Sequence, residues 1–315
     1  MKRFLNIDFT FKTLSMSGAL FQVILLIALL VMLIYTSRLA ISEFGAGFIL
    51  SSEWNPAEDE RETYGAAASI FGTLVSTFIA MILAVPLSLV TALFLVELAP
   101  KLLSNIVGYG IELLAAIPSI IYGMWGLFIF APFIRKYLQS PLKGLNEVSF
   151  LPEIPLFEGP PMGIGIMTAG IVLALMILPF ITAVMRDVFL MVPQVLKESV
   201  YGLGAVTYEV TSRVMVRYGI QGLIGATFLG MARAIGETMA ITFIIGNVHK
   251  ISASLFSPAT SIASTIANEF AEAYTQPLYI QSLMFLGLIL FLISFIVQFV
   301  AYWWVGKLQK SMGVQ

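Results

Sequence analysis

Long apolar runs dominate the chain, and short polar stretches separate them. A helix needs about 20 apolar residues to cross the hydrocarbon core of a bilayer. Six segments reach or approach that length: 18–35, 66–96, 106–134, 162–185, 219–246 and 278–305. The first follows Lys2, Arg3 and Lys12, as a signal peptide would. Its apolar run of 18 residues exceeds a cleaved leader's core, so it reads as an uncleaved anchor. Pro86 and Pro118 fall inside the second and third segments and predict kinks. Residues 39–65 carry Trp54-Asn55-Pro56 and the charged run Glu58-Asp59-Glu60-Arg61-Glu62, which reads as an ordered extracytoplasmic segment with an interfacial tryptophan. After Ser257-Pro258, the amphiphilic stretch 259–273 predicts a short surface or re-entrant helix.

Composition turns this pattern into a class. Of 315 residues, 59% are hydrophobic and 11% charged, with a mean hydropathy of +0.94. A soluble chain carries about 25% charge, and no soluble globule could bury so much apolar surface. The expected fold class is therefore an all-α integral membrane protein with six transmembrane helices. A net charge of −1 without a basic block argues against nucleic acid. With no cysteine, disulfides, thiol catalysis and thiolate metal sites are excluded. The single histidine, His249, cannot build a His-rich metal site and reads as a loop residue near a membrane boundary.

Charge also orients the spans. Ten Lys and Arg lie on the side of the N-terminus, four of them (Arg186, Lys197, Arg213, Arg217) between spans four and five, against six on the other side. The positive-inside rule then places both termini and the 186–217 loop in the cytoplasm of a cell-membrane protein.

Three charged residues remain in or at the edge of the spans: Glu112, Arg233 and Glu237. Each costs about 2.5–3.5 kcal/mol on insertion, which calls for an explanation. Arg233 and Glu237 are four apart near the middle of span five, on one side of the expected helix. They are either a self-neutralising pair or a substrate site on a water-accessible pathway. Arginine presents a planar fork suited to phosphate or carboxylate oxygens. An ionised glutamate only accepts, so it favours a ligand that carries a proton. Monohydrogen and dihydrogen phosphate carry one at neutral pH and sulfate does not, so the pair would select phosphate over sulfate.

In the same span Gly222, Ala226, Gly230 and Ala234 form a small-residue face. That face suits packing inside this chain's bundle or a seam with a partner subunit. Between spans four and five, Leu196, Val200, Leu203 and Val210 repeat at helical spacing while Lys197, Glu198 and Glu209 fall elsewhere. This predicts a short amphipathic helix broken at Gly202 and Gly204, which either rests on lipid or docks another protein.

The stretch Glu198-Ser-Val-Tyr-Gly-Leu-Gly204 resembles the EAA loop of ABC importer permeases, with Ser199-Val200 for the usual small pair and Arg217 where a proline commonly ends the motif. Further stretches sharpen the likeness: Trp54-Asn-Pro, Tyr64-Gly65, Ile70-Phe-Gly-Thr-Leu74, Glu97-Leu-Ala-Pro100, Ile111-Glu-Leu-Leu-Ala-Ala-Ile-Pro-Ser119, Tyr122-Gly-Met-Trp-Gly126 and Arg233-Ala-Ile-Gly-Glu-Thr-Met-Ala240. Together, from about residue 50 to the end, they resemble the PstC family of phosphate ABC importer permeases.

The resemblance implies a MetI-like permease domain over 66–315, a coupling loop at about 193–217, and an added anchor helix and extracytoplasmic loop over 1–65. It implies phosphate import by alternating access, with Arg233 and Glu237 at the substrate and Glu198, Gly204, Leu196, Val200 and Leu203 coupling to an ATPase. The implied partners are a PstA-like second permease, two PstB-like ATPase subunits and a PstS-like phosphate-binding protein. This chain would hold no cofactor and be no enzyme, since it lacks a Gly-x-x-x-x-Gly-Lys-Ser/Thr loop and ATP with magnesium would bind the ATPase subunits. For Glu112 a structural hydrogen bond is expected. The alternatives are a permease for sulfate or molybdate, or a self-sufficient secondary anion transporter.

Overall fold

A computed structural model describes residues 2–56, 62–146, 155–274 and 276–311. The acidic run Glu58–Arg61 lies outside the described residues. The chain begins with α1 (Lys2–Thr36), α2 (Arg38–Phe44) and α3 (Gly47–Leu50), followed by a two-stranded antiparallel ribbon, β1 (Trp54–Asn55) and β2 (Thr63–Tyr64). Next come α4 (Ala67–Leu93), extended by a π-helical turn to Leu98, and α5 (Lys101–Ala115). The pieces α6 (Ser119–Trp125), α7 (Ala131–Ile134) and α8 (Ser140–Asn146) are joined by π-helical turns. Then follow α9 (Ile166–Leu190), α10 (Gln194–Gly202), α11 (Thr207–Glu209), α12 (Val216–Ile235), α13 (Met239–Thr242), α14 (Ile262–Ala273) and α15 (Pro277–Ser311).

Among the described residues, five helical segments are long and apolar enough to cross a bilayer: Asp8–Thr36, Ala67–Leu98, Ile166–Leu190, Thr207–Ile235 and Pro277–Lys307. A sixth is the bent pair Lys101–Ala115 and Ser119–Gly144. The kink expected at Pro118 in the third span, 106–134, is thus a sharp break, with two arms meeting at 90°. The cause is Pro118, which lacks the N–H a continuing helix needs and drives Ile117 out of the helical region. Across the bend, the Tyr122 hydroxyl donates to the Leu114 carbonyl at 3.0 Å. The fifth span is corrected: its helix runs from Thr207 to Ile235 rather than over 219–246. Gly236 ends it, a residue that lowers helix propensity and suits a C-terminal cap. By contrast α4 runs through Pro86 as one helix.

Burial ranks the spans. In α9, 72% of the apolar window is buried within the chain, whereas in α1 none is. So α9 is the axis of the bundle, and the first helix lies outside it with its apolar surface free for lipid. Small residues bring the neighbours in. From α4, Ala80 and Ala84 are buried in the same core as α9, and the Ser88 hydroxyl donates to the Leu178 carbonyl at 3.1 Å. From α12, Gly222 faces Val188 so closely that a Cβ would stand 2.6 Å from its Cγ2, and Gly230 faces Ile181. Ala226 and Ala234 on the same stripe are buried. The stripe therefore packs inside this chain, against α9.

Side-chain ties define two ends of the bundle. One end carries α10, the end of α4 and α5; the other carries the ribbon, α14 and the start of α15.

Candidate functional site

Arg233 occupies the last turn of α12, where the helix dipole favours a cation. Its guanidinium lies 5.3 Å from the ring centroid of Phe180, midway along α9, and within electrostatic reach of the Tyr122 phenol on α6. Among the described residues it forms no hydrogen bond and no ion pair. A half-buried arginine with only aromatic company has its donor fork available to a ligand.

Glu237 stands just past the end of the helix, so it does not share a helix face with Arg233 as the sequence spacing predicted. Gly236 intervenes and turns the backbone away. The Glu237 N–H donates to the Ala234 carbonyl at 3.3 Å, and its Oε1 accepts from the Ala240 N–H at 3.1 Å. That hydrogen bond aligns the carboxylate with the start of α13, a helix of 4 residues. Non-helical backbone at membrane depth survives only where protein buries it or where it lines a cavity. Here α6 covers it. A Cβ at Gly123 would come within 2.9 Å of the Met239 carbonyl oxygen, so the absence of a side chain lets α6 lie directly on α13. The arrangement offers an unpaired cation and an acceptor at a broken helix, a setting suited to a small anion that carries a proton.

The predicted amphipathic helix is α10, and its exposure inverts the usual order. Lys197 is buried, while Leu196 is 42% and Leu203 is 88% exposed. Glu198 is exposed and Val200 half-buried. Gly204 has φ +88°, a left-handed conformation that disfavours side chains, which explains glycine at the turn. Arg217, at the position where the motif's proline is missing, is exposed within the continuous α12.

Lys197 is buried because it has a partner. Its Nζ lies 2.8 Å from Oε2 of Glu97, and the two side chains are 10% and 11% exposed. The Tyr201 hydroxyl donates to the other oxygen, Oε1, at 2.8 Å. A contact with Thr207 pulls the Tyr201 pKa down, but burial and the Glu97 carboxylate outweigh it and hold the phenol above its usual range. Sequence reasoning passed over Glu97 and Lys197. The available signal was the spacing of Lys197 and Tyr201, one helical turn apart, together with the carboxylate of the Glu97-Leu-Ala-Pro100 stretch. Glu112 meets Arg186 at a long 3.4 Å, joining α5 to α9.

His249 is a loop residue, yet its side chain is enclosed. Its ring stacks on Trp54 at 5.1 Å and 5°, and its Nε2 lies 3.0 Å from Oε1 of Glu269. Glu269 also accepts from Trp54 Nε1 at 2.6 Å and from the Tyr279 hydroxyl at 2.8 Å.

No family model matches the chain. Among curated proteins it is 49% identical over 311 residues to the phosphate transport system permease protein PstC of Pasteurella multocida, covering 98% of this chain and 94% of that protein. It is 46% identical to PstC of Mesorhizobium japonicum, covering 99% and 94%, and 34% identical to the probable PstC of Methanocaldococcus jannaschii, covering 96% and 95%. Among solved structures it resembles the MetNI methionine ABC transporter in an inward-facing conformation, with TM-score 0.57 at 17% identity, covering 76% of this chain and 94% of that one. That likeness extends the agreement to the ABC permease fold. With identities of 34–49% along almost its whole length, the chain belongs to the PstC family of phosphate transport system permease proteins.

Proposed function

We propose that this chain is the non-catalytic permease subunit of an ATP-driven importer of inorganic phosphate, and that Arg233 and Glu237 form its share of the substrate site. Membership of the PstC family supports the substrate. The observation that carries the site is the guanidinium of Arg233, which lacks an ionic partner among the described residues beside a broken helix. Phosphate oxygens fill the fork of Arg233, and a phosphate O–H donates to the Glu237 carboxylate.

The same reading holds that a PstA-like permease completes the pathway and two PstB-like ATPases drive it. A PstS-like binding protein delivers the ligand. The exposed leucines of α10, with Glu198 and Gly204, dock an ATPase, so that end of the bundle and both termini lie in the cytoplasm and the chain sits in the cell membrane. It divides into an anchor and outer loop, 1–65, and a permease domain, 66–315.

Glu237→Gln tests the site. An amide donates as well as accepts, so it no longer demands a protonated ligand. In a reconstituted complex that leaks without its binding protein, phosphate uptake by this variant should fall and exclusion of sulfate should weaken. Normal phosphate uptake with sulfate still excluded would reduce Glu237 to a structural role. Arg233→Gln should abolish uptake while leaving insertion intact.

A further inference from the structure

The contact between α10 and α4 does something that docking alone does not require. Lys197 and Tyr201 lie one turn apart on α10, and each takes one oxygen of the same carboxylate, Glu97. Glu97 sits on the π-helical turn Phe94–Leu98 that prolongs α4. Two directional bonds to one carboxylate fix both the distance and the rotation of α10 relative to α4. An enclosed charge pair is a poor source of net stability, because apolar residues of similar size would serve as well or better. Its distinguishing property is geometry.

At its far end α4 is tied to the segment that follows the broken helix. The Thr73 hydroxyl accepts from the Ile262 N–H at 2.9 Å, and Gly72 lies directly against the Thr260 carbonyl. Ala259 in turn donates its N–H to the Ile245 carbonyl at 2.9 Å, at the base of the turn that carries α13 and Glu237. A continuous series of contacts therefore leads from α10 through α4 to the Glu237 segment.

We propose that Glu97 is a positioning residue of the transport cycle, which with Lys197 and Tyr201 forms a strut that makes α10 and α4 move as one body. The proposal rests on the reading of α10 as the ATPase-docking element. When the ATPase displaces α10, the strut carries that displacement into α4 and so to the site. Without it α10 pivots, and ATP is hydrolysed without moving the ligand.

The test uses the complete complex in proteoliposomes, with phosphate uptake and ATP hydrolysis measured on the same sample. Glu97→Ala should assemble and hydrolyse ATP, with uptake per ATP reduced about tenfold, the scale expected for a residue that couples two sites without touching either ligand. Lys197→Met should do the same. The exchange Lys197→Glu with Glu97→Lys should recover most of the ratio. Tyr201→Phe, which removes one hydrogen bond and no charge, should lower it about twofold and remains informative if Glu97→Ala does not assemble.

An unchanged ratio in Tyr201→Phe and Glu97→Ala overturns the strut, as does an exchange variant that assembles but recovers nothing. Leu203→Asp separates the two readings. If it leaves the ATPase bound, the docking reading fails. If it releases the ATPase while Glu97→Ala keeps the ratio, the strut alone fails.

Discussion

The two ends of the bundle are built by different chemistry. At the end that carries the ribbon and α14, several polar side chains among the described residues bond to one another across the fold. Glu269 collects Trp54, His249 and Tyr279, and the hydroxyls of Ser69, Thr260 and Thr265 bond to one another at 2.9–3.1 Å. Burial, then Glu62 and Glu269, push the Tyr64 phenol above its usual range, so it stays a neutral ring within the aromatic cluster. At the end that carries α10, the enclosed pair of Lys197 and Glu97 is joined by the exposed Tyr201, and Leu196, Leu203, Val206 and Tyr208 stand exposed. The first end is cross-linked by side-chain hydrogen bonds, although Leu50 and Tyr274 stand exposed there too. The second has fewer such ties, and the proposed docking of an ATPase on α10 would cover its exposed apolar side chains.

That contrast can be broken at several places, and the largest effect is expected at the closed end. Gly72→Val drives a side chain into the Thr260 carbonyl, backbone against which nothing can yield. A loss of about 3 kcal/mol or more is expected, read as a fall in melting temperature and in folded yield by detergent gel filtration. Glu269→Gln follows. The amide oxygen can still accept from Trp54 and Tyr279, but the NH2 faces His249 Nε2 and fixes that nitrogen as the acceptor, and the charged acceptor is lost, for about 1–3 kcal/mol in the same assay.

Changes at the open end should cost the isolated chain less. Gly204→Ala forces a side chain into a left-handed turn with free space around it, so it should cost only about 1–2 kcal/mol, while uptake by the complex falls further than stability does. Smallest of all, Leu203→Ser should change the stability of the chain alone by less than about 0.5 kcal/mol and still weaken retention of the ATPase on an affinity column. If Leu203→Ser destabilises the chain as much as Glu269→Gln does, the contrast between the ends is false.

Much of this architecture is legible in order of residues. The apolar runs locate the spans because hydrocarbon demands length and a satisfied backbone, and both are local properties. The amphipathic stretch at 193–210 and the helix after Pro258 are legible for the same reason: helical periodicity is written within a few turns. Pro118 announced a kink but not its size, since the 90° angle depends on how both arms pack against other helices, among them α5 against α9 at Glu112 and Arg186. The spacing of Arg233 and Glu237 misled for a related reason. Counting by four assumes an unbroken helix, and this one ends at Gly236, while Gly123 lets α6 cover the backbone of α13 that follows.

By itself, then, the sequence determined membrane residence, the number of apolar segments, the intramembrane charges and the loop motif, all set by composition and short-range spacing. Tertiary structure alone decided which charges meet. Lys197 and Glu97 are 100 residues apart, and Trp54 and Glu269 are 215 apart. Among the described residues Arg233 has no ionic partner, although Glu237 follows four positions later. Pairing in three dimensions depends on how whole helices settle against α9, and that follows from side-chain volumes summed over the entire interface, which no local window of sequence contains.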